Sequence, residues 1–320
     1  MLLSEFIASA LAGLESLYPR AEARSMVSIL VCERLGVQSW THIANPSFEV
    51  PEQSLAQLEA DLQKLLASEP LQYVLGYAEF YGRRFRVTKD VLIPRPETEL
   101  LVDTVLQKLK SASRGCDRAD DRVALKILDL CTGSGCIAWT LALEPVGAHL
   151  TAIDISQAAL AIARSQFSGE FAQGASGNSI VSGREVTFIE ADVLDLSEEG
   201  LSGTHSKLPL GQFDVIVSNP PYVMEQEKAL MRPNVLDHEP ALALFVPDDD
   251  PLIFYRAIAH HASRLLSAHG WGIVEINTLL AEPTAECFRQ AGLKDVTILP
   301  DLSGKPRFVS FSAGTSPLSR

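Results

Sequence analysis

Asn219, Pro220, Pro221 and Tyr222 stand together at the end of an apolar run, FDVIVS, over residues 213–218. A primary amide offers an acceptor oxygen, and two prolines lock φ and remove two backbone donors. The Asn219 Oδ1 and the Pro220 carbonyl can thus take both hydrogens of an –NH2 group. The Tyr222 ring can then lie against the planar group that carries the nitrogen. Alone, the tetrapeptide also reads as a proline-stiffened turn after a strand. The rest of the chain decides between these readings.

The β-branched run before Asn219 has the pattern of a central strand in a parallel sheet. Ligands of open α/β sheets bind at the carboxyl ends of such strands. Three more strand ends carry acids. Asp129 precedes a loop made of Cys131, Thr132, Gly133, Ser134 and Gly135. Asp154 closes the next strand, 19 residues beyond Gly135, and Asp192, followed by Val193, closes a third. The loop contains G-x-G-x-x-A, so a nicotinamide cofactor has to be weighed. Asp129 argues against it, because a carboxylate ahead of the turn repels a pyrophosphate and attracts an ammonium group. Taken in order, the three aspartates suit an ammonium group, a ribose diol and an adenine amine. Together these describe S-adenosylmethionine. Gly133 and Gly135 let the backbone close on its methionine moiety. One aspartate at a strand end is commonly a cap; three in sequence need another reason.

Such side chains need a scaffold that brings four strand ends to one edge. From Lys126 strands alternate with helices, which implies a doubly wound α/β sheet. The last two strands, DVTILPD and RFVSFS, have no helix between them, so an antiparallel strand is expected at one edge. Residues 1–69 read as a small helical bundle, with Leu55, Leu58, Leu62 and Leu65 on one helix face. Residues 70–95 read as a linking β-hairpin centred on Tyr81-Gly82-Arg83, and residues 96–320 as the α/β domain. Pro94 and Pro96 hold Arg95 in an extended entry to a helix that begins at Glu97 or Thr98. The polar stretches at 111–123, 168–183 and 197–212 read as a linker and surface insertions.

The 320 residues suit two domains, with 47% hydrophobic and 21% charged residues. A formal charge of −13 argues against a broad phosphate-binding surface. The five cysteines, Cys32, Cys116, Cys131, Cys136 and Cys287, are scattered without zinc-ligand spacing, so reduced thiols and no metal are expected. No window approaches the roughly 18 apolar residues of a membrane span. The amphipathic N-terminus lacks a basic signal-peptide region. A cytoplasmic monomer is the expectation.

The segments DLCTGSGCIA, AIDIS, EADV and SNPPY resemble class I methyltransferases that modify planar –NH2 groups. IPRPETE at residues 93–99, HEP-x-x-AL at residues 238–244 and DLSGKPRFV at residues 301–309 are similar to the protein-glutamine methyltransferases of the HemK/PrmC type. The resemblance covers residues 70–313, and the N-terminal bundle is similar in kind to that family's substrate-docking domain. It implies a Rossmann-like class I fold, S-adenosylmethionine as cofactor and peptide chain release factors as partners. The acceptor is then the glutamine of their Gly-Gly-Gln motif. Asn219, Pro220, Pro221 and Tyr222 are the implied catalytic and substrate-binding residues, and Asn219 is also counted with Asp129, Cys131, Thr132, Gly133, Ser134, Gly135, Asp154, Asp192 and Val193 among the cofactor-binding ones. Arg95 is placed at the substrate entrance, with Glu97 and Glu99 candidates to contact peptide backbone. Glu275, ending the fifth strand, falls near the site. The family's usual glycine is replaced by Cys131, and another by the acidic run at 248–251.

A ribosomal-protein glutamine methyltransferase differs from this reading only in its substrate. An adenine amino-methyltransferase acting on nucleic acid would share the NPPY segment. It lacks support from the acidic balance and from the absence of a basic, aromatic-laced recognition domain. A cofactor-binding module without catalysis fits poorly with an intact NPPY, and a dehydrogenase lacks an acid/base histidine near the strand ends.

Overall fold

A computed structural model of the protein describes residues 1–113, 125–145, 147–167, 186–196 and 213–314. The insertions expected at 168–183 and 197–212, Cys116, and all but the first three residues of the linker at 111–123 lie outside these. The chain forms two compact units, Met1–Tyr77 with Met231–His238, and Ala78–Leu230 with Glu239–Arg320.

In the first unit, α1 (Leu3–Leu14), α2 (Arg20–Leu35), α3 (Thr41–Ala44), α4 (Glu52–Leu66) and α5 (Leu71–Leu75) follow one another. The apolar faces of α1, α2, α4 and α5 share a core that includes Phe6, Leu14, Leu30, Leu58 and Leu65. Gly36 and Gly76 end α2 and α5 in the left-handed conformation that favours glycine. The stretch LQYVL was expected to open a strand pair. It forms α5 instead, because Pro70 starts a helical turn and Gly76 closes it.

The second unit opens with a hairpin, β1 (Tyr77–Phe80) and β2 (Arg83–Arg86). Tyr81 and Gly82 both have positive φ, the requirement of a two-residue I′ turn. After α6 (Pro96–Ser113) come β3 (Leu125–Leu130), α7 (Cys136–Leu143), β4 (Ala148–Asp154), α8 (Gln157–Ser165), β5 (Val186–Glu190) and β6 (Phe213–Ser218). Short elements follow: β7 (Val223–Met224), α9 (Pro233–Leu236, in the first unit), α10 (Ala241–Leu244) and β8 (Phe245–Val246). The chain closes with α11 (Ile253–Leu265), β9 (Leu266–Glu275), α12 (Ala281–Gln290), β10 (Lys294–Pro300) and β11 (Pro306–Ser312).

Seven strands form one sheet in the order β10-β11-β9-β6-β3-β4-β5. The pairs β6–β9, β6–β3, β3–β4 and β4–β5 are parallel. The expected antiparallel strand is β11, seated between β9 and the rim strand β10. Successive side chains of β6 alternate faces: Ile216 joins a core with α11 and α12, while Val215 and Val217 join one with α6 and α7. Burial on both faces explains the unbroken β-branched run Val215–Val217 of β6. The chain passes from β3 outward to β4 and β5 and returns to β6 on the other flank of β3. The reversal opens a crevice at the carboxyl ends of β3 and β6.

Candidate active site

Within the second unit, a cavity of about 260 Å³ lies beside these strand ends. Its wall includes Cys131, Thr132, Gly133 and Ser134 after β3, Asp154 at the end of β4, Asp192 and Val193 after β5, and Asn219 and Pro221 after β6. Asp129, Gly135, Pro220, Tyr222 and Arg95 are not part of that wall. Asp129 lies behind it, with no exposed surface. One of its oxygens accepts from the Thr132 hydroxyl at 2.6 Å, and the other is buried without a hydrogen-bond partner. Burial, reinforced by the nearby Asp154 charge, pushes its carboxyl up to about 7. An unpartnered buried carboxylate oxygen is a strong attractor for a cation.

Asp154 is also shifted upward by burial, although it is stabilised by backbone N–H groups. Its oxygens accept from Gly133 N at 2.8 Å and Ser156 N at 2.9 Å. Each oxygen keeps a second lone pair. Asp192 takes the Leu194 N–H at 2.8 Å on one oxygen. The turn itself is strained at one position: Cys131 has φ +62°, where a side chain costs roughly 1–2 kcal/mol. Burial drives its thiol well above the ordinary range, with Asp154 and Asp129 adding to the shift, so it stays a neutral thiol. Gly135, at φ +78°, cannot easily be replaced, because a Cβ there would come within 3.1 Å of both Ala163 and Trp139.

At the far wall, the side chains form a chain of hydrogen bonds. Asn219 Nδ2 donates to Thr98 Oγ1 at 3.2 Å, and Thr98 Oγ1 donates to Glu275 Oε2 at 2.7 Å. The Tyr222 hydroxyl donates to Glu275 Oε1 at 3.0 Å. Glu275, 1% exposed at the end of β9, has its carboxyl raised by burial and is opposed by these two hydrogen bonds. Burial and the Glu275 charge likewise raise the Tyr222 hydroxyl, which therefore stays protonated. The loop is fixed from below by Asn277, whose Nδ2 donates to the Tyr222 carbonyl at 3.1 Å and to Glu227 at 2.8 Å. With Nδ2 given to Thr98, Asn219 Oδ1 is left for the cavity.

Arg95, expected at the substrate entrance, pairs with the buried Glu239 at 2.7 Å. The other Glu239 oxygen accepts from Ile93 N at 3.2 Å. The IPRPETE and HEP segments are thereby joined, and with the preceding Leu92 they supply Pro94, Thr98, Pro240 and Leu242 to the cavity wall. Glu99 accepts from Tyr81 N at 2.8 Å and holds the hairpin tip. Thr98 and Glu239 were missed as site residues in the sequence. The signal for both was the company they keep, a threonine between acids after a rigid diproline entry and a lone acid before Pro240.

The family described as PrmC N-terminal domain matches residues 5–76, and that described as Methyltransferase domain matches residues 121–270. A release factor glutamine methyltransferase of Bacteroides thetaiotaomicron is 39% identical over 93% of this chain and 95% of its own length. The chain belongs to the release factor glutamine methyltransferase family. Another member, from Flavobacterium psychrophilum, is 36% identical over 97% of this chain and 98% of its own. The one from Koribacter versatilis is 35% identical across the full length of both. For a family of this kind the seven-stranded sheet and its crevice are the class I methyltransferase scaffold.

Proposed function

We propose that this protein methylates the side-chain amide nitrogen of the glutamine in the Gly-Gly-Gln motif of peptide chain release factors, using S-adenosylmethionine. The observation that carries the chemistry is the Asn219 amide, whose nitrogen is committed to Thr98 and whose oxygen is left for the cavity. The choice of release factor rests on family membership.

The residues present fit the cofactor. Asp129, behind the wall with its orphaned oxygen, would hold an ammonium group directly or through water, Asp154 the ribose hydroxyls, and Asp192 beside Val193 the adenine amine. Gly133 and Gly135 would let the main chain approach the methionine moiety. Bound there, S-adenosylmethionine supplies an electrophilic sulfonium methyl. The three carboxylates also make the cavity favour positive charge.

An amide nitrogen is a poor nucleophile because its lone pair is delocalised, so the protein's task is to orient it. Asn219 Oδ1 accepts one of its hydrogens and the Pro220 carbonyl the other. Both acceptors also stabilise the positive charge that grows on the nitrogen. Orientation of this kind is worth about 7–11 kcal/mol in favourable systems. After transfer the positively charged nitrogen sheds its proton to water, so acceptors are needed here and a strong base is not.

The test is incubation of the protein with methyl-labelled cofactor and a purified release factor, followed by mass-spectrometric mapping of the label. Methyl on the Gly-Gly-Gln glutamine is the expected result. Label only on a ribosomal-protein glutamine, or only on adenine of DNA or RNA, would replace the reading with one of its rivals.

A further inference from the structure

We infer that Thr98 is a positioning residue for this reaction, its hydroxyl anchored on Glu275 and holding the Asn219 amide with the oxygen toward the cavity. The inference rests on the function proposed above and adds what sets the polarity of the acceptor. The oxygen and nitrogen of an asparagine amide are nearly equal in size, so a half-turn of the group changes its hydrogen bonding and little else. Reversed, Asn219 would face an incoming –NH2 with a donor of its own, and the nitrogen would be turned away. Neither proline selects between the two orientations.

Thr98 does. A hydroxyl has one hydrogen to give. That hydrogen goes to Glu275 Oε2 at 2.7 Å, while the Tyr222 hydroxyl occupies Glu275 Oε1 at 3.0 Å. The Thr98 oxygen can then only accept from Asn219, which it does at 3.2 Å. Thr98 is 2% exposed and lies in the first turn of α6, where the rigid entry through Pro94 and Pro96 fixes its place against the ends of β6 and β9. Three elements distant in sequence thus converge on one amide.

Thr98→Val keeps the shape and removes the hydroxyl; Thr98→Ser keeps the hydroxyl and removes a methyl. A packing role predicts that valine is tolerated and serine is worse. Positioning predicts the reverse. With release factor as substrate, Thr98→Val should lower kcat about 10–100-fold, with KM for the release factor and Kd for the cofactor changed about threefold or less. Thr98→Ser should keep kcat within about threefold of the wild type. Independently of activity, the Asn219 side-chain amide protons, assigned by their loss in Asn219→Ala, should exchange slowly by NMR in the wild type and in Thr98→Ser, and fast in Thr98→Val. Should Thr98→Val fail to fold, the wild type and the serine variant still decide. Asn219 protons that exchange as fast as those of an exposed asparagine, or a serine variant with its kcat reduced more than tenfold, would overturn the inference. If the wild type methylates no release factor while the Thr98-dependent protection persists, the positioning stands and the substrate assignment falls.

Discussion

At the scale of single residues, the site separates binding from chemistry. In the proposed reaction Asn219 presents its acceptor to the group being methylated, so Asn219→Ala should reduce kcat by about 100-fold or more. The cofactor Kd should stay within a few-fold, as single-turnover and equilibrium binding measurements would show. Asp129 governs the other half. Its carboxyl is held near 7 in the fold by burial, against about 3.9 in an unfolded chain. The free protein keeps a proton there that the unfolded chain has lost, so this group's contribution to stability declines as pH rises from about 4 to 7. A bound ammonium reverses the preference by favouring the carboxylate. Cofactor affinity should therefore rise with pH, by up to about tenfold per unit, and level off above about pH 7. In Asp129→Asn the slope between about pH 5 and 7 should vanish, as titration calorimetry at several pH values would show. The acids and the NPPY acceptor were readable in the sequence because each sits at a strand end with its chemistry exposed by spacing. Thr98 was not, because its partners Asn219 and Glu275 lie 121 and 177 positions away. Only the folded sheet brings them into contact.

At the scale of elements, the long pieces were legible and the short ones were not. Strand β6 carries an unbroken β-branched run, Val215–Val217, and α11 and α12 carry helical spacing, so their types follow from pattern. The elements α9, α10, β7 and β8 have two to four residues each, too few for any periodicity. Of these, α10 nevertheless shapes the cavity, because it and the turn before α6 are clamped together by Arg95 and Glu239. This clamp assigns Arg95 a different duty from the entrance role expected of it. Removing Arg95 strands a buried carboxylate, whereas removing the Glu239 charge leaves an arginine that can still reach water. Arg95→Ala should thus destabilise the protein by about 2–3 kcal/mol and Glu239→Gln by about 1 kcal/mol. Both should weaken cofactor binding by loosening Leu92, Pro94, Pro240 and Leu242. Denaturant melts paired with cofactor titrations would test the order. Equal, negligible losses in both would show that the clamp contributes nothing.

For the whole molecule, the decisive fact is that each unit has its own core. Residues from Leu3 to Val74 form the buried cluster of the first, and the two clusters flanking the sheet belong wholly to the second. The sequence reading separated the two by composition, yet gave no sign that residues 231–238 rejoin the first unit. That return is made by groups without a pattern: Arg232 pairs with Glu22 at 2.8 Å, and a His238 ring nitrogen lies 3.2 Å from the Ala67 carbonyl. The Arg232–Glu22 pair lies within the first unit and is exposed and screened by solvent, so it should not weld the cores into one cooperative block. The cavity lies entirely within the second unit. A ligand there stabilises only what binds it, by about 2.7 kcal/mol at 100 times its Kd. Calorimetry of the full chain should then resolve two transitions. Saturating S-adenosylhomocysteine should raise the transition of the second unit by about 5–10 °C and leave the other in place. A single transition moving as a whole would overturn the expectation that the two cores unfold separately.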